Sequence, residues 1–458
     1  MVSSYDVVVI GGGVAGYSTS IRLARHGLRV LLVEERLIGG ECVNYGCVPT
    51  KALHAVARSL RQLKIAGLEL SYRGNPMVFA RGIAERVREG IEYLLHRYGV
   101  DVVRGRAQIV RDDLVRVSTG SSVAEYGCRY IVVASGTDPR TVPPLEIDEK
   151  LVLSNRGFVE LEELPSSILI VGGGPVGVEL ASILANLGTE VHLVEVMPEI
   201  LPGMDRDVAR ALRRFLKLSG VDIRTNTTVI GIEKGSGWVE ARLSDGSRLR
   251  IEKILVAVGR TPRTHGVGLE NVGIELDGKR FVVVDELQRT SNPRILAVGD
   301  VAGPPLLAHK ALLESRIAVD TILGRTPSYV LRRELVPVAI FTVPEVGCVG
   351  LSEEDARRKG YRVRSVKIPV TVSAKSFIEA CEGGFIKVVL DERNNVLGLH
   401  VVAPNASEIA SLGLELIERK LDLETVAYRP YPHLTASEVL KELIETVLGE
   451  PLHVYIKS

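Results

Sequence analysis

Cys42 and Cys47 lie five positions apart in GGECVNYGCVPTK, residues 39–51, with Gly46 just before the second cysteine and Pro49 two residues after it. Two thiols this close can be redox partners, metal ligands or packing residues. On an ideal helix five residues mean about 140° of rotation and roughly 7.5 Å of rise, so the two sulfurs would diverge. A non-helical turn must therefore separate them. The other cysteines, Cys128, Cys348 and Cys381, are scattered, and a total of five in 458 residues is unlike a secreted disulfide framework. No second pair or histidine cluster stands at ligand spacing, which disfavours zinc. Redox chemistry is the stronger reading.

Redox thiols need an electron partner, and a pattern that occurs twice suggests one. YDVVVIGGGVAGYSTSIRLARHGLRVLLVEE reads as a strand, a loop with Gly11, Gly13 and Gly16, a helix, a turn at Gly27 and a strand ending in Glu34. ILIVGGGPVGVELASILANLGTEVHLVEV repeats it with Gly172, Gly174, Gly177, a turn at Gly188 and a strand ending in Glu195. In both copies the acid lies eighteen positions beyond the third glycine. A lone GxGxxG is weak, whereas strand, loop, helix and acid in register twice is strong. The first glycine permits a tight turn, the second lets a pyrophosphate approach the backbone, and the third lets helix pack on strand. Free N–H groups at the helix start receive phosphate, and the acid accepts hydrogen bonds from a ribose diol.

Two loops imply two dinucleotides. The first is followed directly by the cysteine pair, so the reactive ring of its ligand must reach the thiols. A flavin can accept hydride and then react with sulfur, which a nicotinamide does not readily do unaided. FAD is therefore expected at the first loop and a nicotinamide at the second. Glu195 favours NAD, because a carboxylate repels the 2′-phosphate of NADP, and EVMPEILPGMD holds no arginine between Glu195 and Asp205.

The formal net charge is +1 and the hydrophobic fraction 46%, so nucleic acid and anionic membranes are not expected as partners. No apolar run approaches the roughly twenty residues of a membrane span. The N-terminus runs into a strand-like segment, Tyr5 to Ile10, without a basic stretch or signal-peptide core, and a cytoplasmic location is expected.

The chain resembles the flavoprotein disulfide reductases, class I pyridine nucleotide-disulfide oxidoreductases, and among them the dihydrolipoamide dehydrogenase branch most. GGECVNYGCVPTK resembles the redox motif of that family, and VVASGTDPR, LVAVGRTPRT, ILAVGDVAG, LLAHKA and HLTASE follow in the family's order across nearly the whole chain. The resemblance implies an active disulfide beside a flavin, with Cys47 as the charge-transfer thiol and Cys42 as the outer thiol that exchanges with substrate. Pro49 and Gly46 mark the start of a helix, KALHAVARSLRQL, so Cys47 should sit near its positive end, where a thiolate is stabilised, and Cys42 in the preceding loop. Asp300 matches the acid that binds the ribityl chain, and Gly136, Gly259, Ala308 and His309 match cofactor-lining positions. A plain helix-start role for His309 stays open. Lys51 and Glu179 match a pair that tunes the flavin, with ordinary surface charges as the alternative.

HLTASE, residues 433–438, resembles HPTLSE, in which the histidine shuttles the proton of the exchanging thiol and the glutamate fixes its tautomer. His433 and Glu438 take those roles by resemblance. Two departures bear on the backbone turn and the substrate channel: Leu434 replaces a proline, and Tyr431 stands where the lipoamide branch usually has a second histidine.

The expected fold is α/β, with two Rossmann-like dinucleotide-binding domains and a C-terminal α+β interface domain. Residues 1–145 and 270–330 should form a discontinuous FAD domain, residues 146–269 the NAD domain, and residues 335–458 the interface domain of a homodimer. In the last, GFIKVVLDERNNVLGLHVV reads as a hairpin around Arg393 to Asn395, and ASEIASLGLELIERK as a helix. The expected activity passes electrons from a dihydrolipoyl group, free or on a carrier domain of a 2-oxoacid dehydrogenase or glycine cleavage system, through Cys42 and Cys47 and FAD to NAD. NAD(P)H-driven reduction of another disulfide is the alternative, and a non-catalytic flavoprotein scaffold a weaker one.

Overall fold

Strand Ser3–Ile10 lies between Val30–Glu34 and Ser122–Val133, parallel to both. Side chains of a strand alternate between faces. Val7 and Val9 accordingly enter one buried cluster with Leu23, Val30 and Leu32, while Val8 and Ile10 enter another with Leu31 and Val33. A sheet buried on both faces explains why these strands read as unbroken apolar runs. The computed structural model describes residues 3–68, 74–120 and 122–455.

The chain divides into two compact units. The first comprises residues 1–52, 78–140 and 260–333. Its seven-stranded sheet runs Asp101–Arg104, Val30–Glu34, Ser3–Ile10, Ser122–Val133, Leu114–Thr119 and Arg106–Arg111, with Ile295–Ala297 also parallel to Ser122–Val133. A small antiparallel pair, Arg260–Pro262 on Thr137–Pro139, belongs to the same unit.

The second unit comprises residues 53–77, 141–259 and 334–458. Its parallel five-stranded sheet has the order Asp222–Thr225, Glu190–Glu195, Ser167–Val171, Lys253–Val256 and Val152–Leu153. A second five-stranded sheet is antiparallel, in the order Val338–Ile340, Glu345–Gly350, Val396–Ala403, Phe385–Leu390 and Arg364–Pro369. The hairpin read from the sequence is there: Leu390 pairs with Val396, and the Asp391 carboxylate accepts from the Arg393 and Asn395 backbone N–H groups. Helix Ala406–Glu418 packs on this sheet. Lys387, buried on the interior strand Phe385–Leu390, reaches Asp205 and Asp207 at 2.9 Å each, joining the antiparallel sheet to the start of helix Arg206–Leu218. No helix among the described residues is long and apolar enough to cross a membrane.

Candidate active site

In the first unit the glycine loop and the cysteine segment are built against each other. Gly11 has φ +104°, and a Cβ there would lie 2.3 Å from the Ala134 carbonyl oxygen, so only glycine fits the turn. A Cβ on Gly16 would lie 1.7 Å from the Gly11 carbonyl oxygen, which is the close approach of helix Val14–Arg25 to its strand. The Gly39 N–H donates to the Gly12 carbonyl at 2.8 Å, and a Cβ on Gly40 would lie 2.7 Å from the Gly13 Cα. The cysteine segment therefore rests directly on the first loop.

Cys42 lies in a short helix, Gly40–Asn44, rather than in a loop, and the next helix, Cys47–Ile65, starts at Cys47 itself, ahead of Pro49. The necessary break falls at Tyr45 and Gly46. There the Gly46 carbonyl, at the start of the second helix, accepts from the Thr50 N–H at 3.1 Å and from its hydroxyl at 2.7 Å. As the first residue of its helix, Cys47 sits at the positive end of the dipole, which favours a thiolate. Cys42 is hydrogen-bonded to Cys47, and this bond, burial and the charge of Cys47 push its pKa well above the ordinary thiol range, with Lys51 opposing them. Cys128, Cys348 and Cys381 are buried, and burial pushes each up to about 12, leaving them unreactive.

Each acid of the repeated pattern fastens its own loop. Glu34 accepts from the Gly12 N–H at 2.6 Å and the Arg36 N–H at 2.7 Å, and Glu195 does the same with Gly173 at 2.6 Å and Met197 at 2.8 Å. The sequence pattern gave these carboxylates only a ribose to hold. With about four lone-pair sites, a carboxylate retains acceptor capacity for a diol as well. The pyrophosphate positions also fit. Gly13 and Gly174 are the N-cap residues of helices Val14–Arg25 and Pro175–Leu187, neither with a side-chain cap. A Cβ on Gly174 would meet nothing within 4 Å, and one on Gly13 only the Gly40 Cα at 3.9 Å. Gly172, with φ +108°, and Gly177 repeat the geometry of Gly11 and Gly16.

Asp300 is half-buried in the turn Gly299–Ala302 and accepts from the Thr137 hydroxyl at 3.0 Å. Desolvation raises its pKa, while Arg260, Thr137 and Lys310 favour the charged form. Ala308 and His309 open helix Ala308–Ile322 in the same unit. Gly136, φ +72°, and Gly259, φ +106°, lie at turns where a Cβ would meet nothing within 4 Å.

Glu179 and the His433 segment belong to the second unit. Glu179 is buried on helix Pro175–Leu187 and accepts from the Phe341 N–H at 2.8 Å. It is therefore no ordinary surface charge. His433 Nδ1 lies 2.7 Å from Glu438 Oε1, and Glu438 Oε2 accepts from the Thr435 N–H at 2.9 Å. With Nδ1–H directed at a carboxylate, Nε2 is left as the proton-accepting nitrogen. The His433 side chain is 78% exposed, so Nε2 is open to an approaching group. Leu434, in place of a proline, follows a cis peptide bond.

Residues 5–315 match the family model described as pyridine nucleotide-disulphide oxidoreductase, and residues 336–444 match the dimerisation domain of the same family. The chain belongs to this family. The dihydrolipoyl dehydrogenase of Thermus scotoductus is 37% identical over 98% of this chain and 99% of its own. The dihydrolipoyl dehydrogenase of Geobacillus stearothermophilus is 34% identical over 99% and 98%. Among solved structures, the Cu(II) complex of RclA, an HOCl-induced flavoprotein disulfide reductase of Escherichia coli, superposes with a TM-score of 0.89 at 28% identity, covering 97% of this chain and all of that one. This pyridine nucleotide-disulphide oxidoreductase is thus a flavoprotein enzyme of mixed α/β fold whose cofactors are FAD and NAD(H).

Sequence reasoning missed several supports of the oxidoreductase site. Lys310 is fully buried and donates to the Gly299 carbonyl at 3.1 Å, the Gly303 carbonyl at 2.8 Å and Glu314 at 2.9 Å, while Glu314 accepts from the Gly299 N–H at 2.7 Å. This cluster clamps the turn that carries Asp300. Its only sequence signal is a lysine four residues before a glutamate on an otherwise apolar helix face. Arg260 and Glu41 stand inside quoted motifs, yet spacing gave neither a role.

Proposed function

We propose that this oxidoreductase is a dihydrolipoamide dehydrogenase working as a homodimer. The observation that carries the reading is the thiol pair, with Cys47 at a helix start and Cys42 hydrogen-bonded to it. A dihydrolipoyl thiolate attacks the Cys42 sulfur of the disulfide, breaking the Cys42–Cys47 bond, and Nε2 of His433 takes up the proton released from that thiol. The second substrate thiol then displaces Cys42 from the mixed disulfide and closes the lipoyl ring. Two electrons and two protons leave the substrate, and Cys42 and Cys47 hold the electron pair as thiol and thiolate. Bound FAD supplies the route for that pair from Cys47 to NAD.

The remaining residues bind and orient. Gly11, Gly13, Gly16, Glu34, Gly136, Asp300, Ala308 and His309 are assigned to FAD, and Gly172, Gly174, Gly177, Glu195 and Gly259 to NAD. Lys51 and Glu179 are assigned as electrostatic tuning residues, and Glu438 as the residue that orients His433. The FAD module is assigned to 1–145 and 270–330, the NAD module to 146–269 and the interface module to 335–458. In this arrangement His433 serves the cysteine pair of the partner subunit. The match of residues 336–444 to a dimerisation domain supports that assignment. Free, unbridged thiols at the other three cysteines suit a reducing, cytoplasmic compartment.

Steady-state turnover with free dihydrolipoamide and NAD, set against a panel of other thiols and of disulfides with NADH, tests the reading. Dihydrolipoamide should be the best substrate. Efficient reduction of another disulfide with no dihydrolipoamide turnover would favour the alternative, for which the Leu434 and Tyr431 departures and the likeness to a flavoprotein disulfide reductase speak.

A further inference from the structure

Strand Arg260–Pro262 pairs antiparallel with Thr137–Pro139 in the first unit, and this brings the Arg260 side chain onto Thr137. Nε donates to the Thr137 hydroxyl at 2.6 Å, and Nη2 donates to the Thr137 carbonyl at 2.8 Å and to Glu41 Oε2 at 3.0 Å. The Thr137 hydroxyl in turn donates a hydrogen bond to Asp300 Oδ2 at 3.0 Å. Glu41 immediately precedes Cys42 in the short helix Gly40–Asn44, so holding its carboxylate holds the backbone of Cys42. A guanidinium is suited to this, because its planar fork fixes several acceptors in one geometry.

We propose that Arg260 is a positioning residue that ties the redox cysteine segment to the half-buried acid Asp300, holding Glu41 through Nη2 and Thr137 through Nε and Nη2. The inference rests on the flavin and redox roles proposed above for Asp300 and Cys42, and adds that the two are mechanically linked. Of the charged and polar groups acting on Asp300, Arg260 contributes most to keeping it ionised, and Glu41 opposes it, so the Arg260–Glu41 pair balances charge as well as position.

Two readouts separate the parts of the link: the FAD dissociation constant of the purified protein, and the rate at which iodoacetamide alkylates Cys42 after reduction. Thr137→Val should weaken FAD binding and leave Cys42 unchanged, since the Thr137 carbonyl still accepts from Arg260. Glu41→Gln should change the Cys42 rate and leave FAD binding nearly unchanged. Arg260→Met should move both, with FAD binding weakened roughly ten- to a hundredfold through loss of charge-assisted bonds. Arg260→Lys, which keeps the charge without the fork, should fall between wild type and Arg260→Met in both readouts. If Arg260→Met does not fold, Arg260→Lys decides. Movement of one readout alone, or of neither, in an Arg260 variant that binds FAD overturns the link. A wild type that binds no FAD overturns the flavin assignment, and the inference with it.

Discussion

Replacing Lys310 by methionine removes a buried cation of similar length and leaves its partners in place. The Lys310 ammonium has three donors and meets three acceptors, the carbonyls of Gly299 and Gly303 and the carboxylate of Glu314, all with no solvent exposure at either charged side chain. Without it Glu314 keeps the Gly299 N–H and the more distant charge of Arg333, and a carboxylate without its ion-pair partner remains buried. Breaking a buried pair in this way costs about 3–5 kcal/mol. For a unit of this size that corresponds to a fall in Tm of roughly 6–20 °C. Burial already raises the Glu314 pKa, with Lys310 opposing, so the substitution should raise it further. A carboxyl whose folded pKa lies above its unfolded value contributes stability that is fully present below the unfolded value, about 4.3, and lost as pH rises through the folded value. The deficit of Lys310→Met should therefore be smallest in acid and grow toward pH 7. Lys310→Met combined with Glu314→Leu should recover part of the loss at pH 7, because no charge is left buried. Urea or thermal unfolding across pH, with FAD retention measured alongside, reads all of this. A loss below about 1 kcal/mol, the ordinary net worth of one hydrogen bond, or a double variant no more stable than the single one at pH 7, would refute the reasoning.

On two-electron reduction without oxygen, the FAD-loaded protein should show a long-wavelength thiolate–flavin band; Cys47→Ser should abolish it, and Cys42→Ser should show it without reduction. An unchanged spectrum in both would remove the pair from the chemistry. Glu195→Arg should shift coenzyme preference from NAD toward NADP, and, because the carboxylate also holds the Gly173 and Met197 N–H groups, should lower stability by about 1.5–3 kcal/mol. Initial rates with each coenzyme and a melting curve check both parts, and a wild-type preference for NADP contradicts the first. His433→Ala should reduce turnover roughly 10²–10⁴-fold, and Glu438→Ala by less, since it releases the imidazole without removing it. Dimers mixed from Cys42→Ser and His433→Ala chains should regain about a quarter of all sites if the histidine serves the partner subunit; verified hybrids without recovery exclude a shared site.

Much of the candidate site is legible in the sequence because its determinants are local. A glycine that must turn, a glycine that must admit a helix, and an acid at the end of the next strand fall at fixed spacings, so Gly11, Gly16 and Glu34, and their counterparts Gly172, Gly177 and Glu195, can be read directly. The same holds for Glu438, which is five residues from His433 and bonds to it, and for the hairpin around Arg393 to Asn395. Even the need for a break between Cys42 and Cys47 follows from helix geometry. Its form does not: a spacing forbids one continuous helix but permits a loop or two helices, and packing of Gly40 on Gly13 decided for two. What only the tertiary structure decided are the contacts between segments far apart in the chain. Lys387 looks like an anomaly in an apolar strand until Asp205 and Asp207 are brought beside it. Arg260 follows the whole second glycine-loop module, yet strand pairing returns it to Thr137 and Glu41. A buried charge must find its partner wherever the topology delivers one, and periodicity along the chain holds no record of that address.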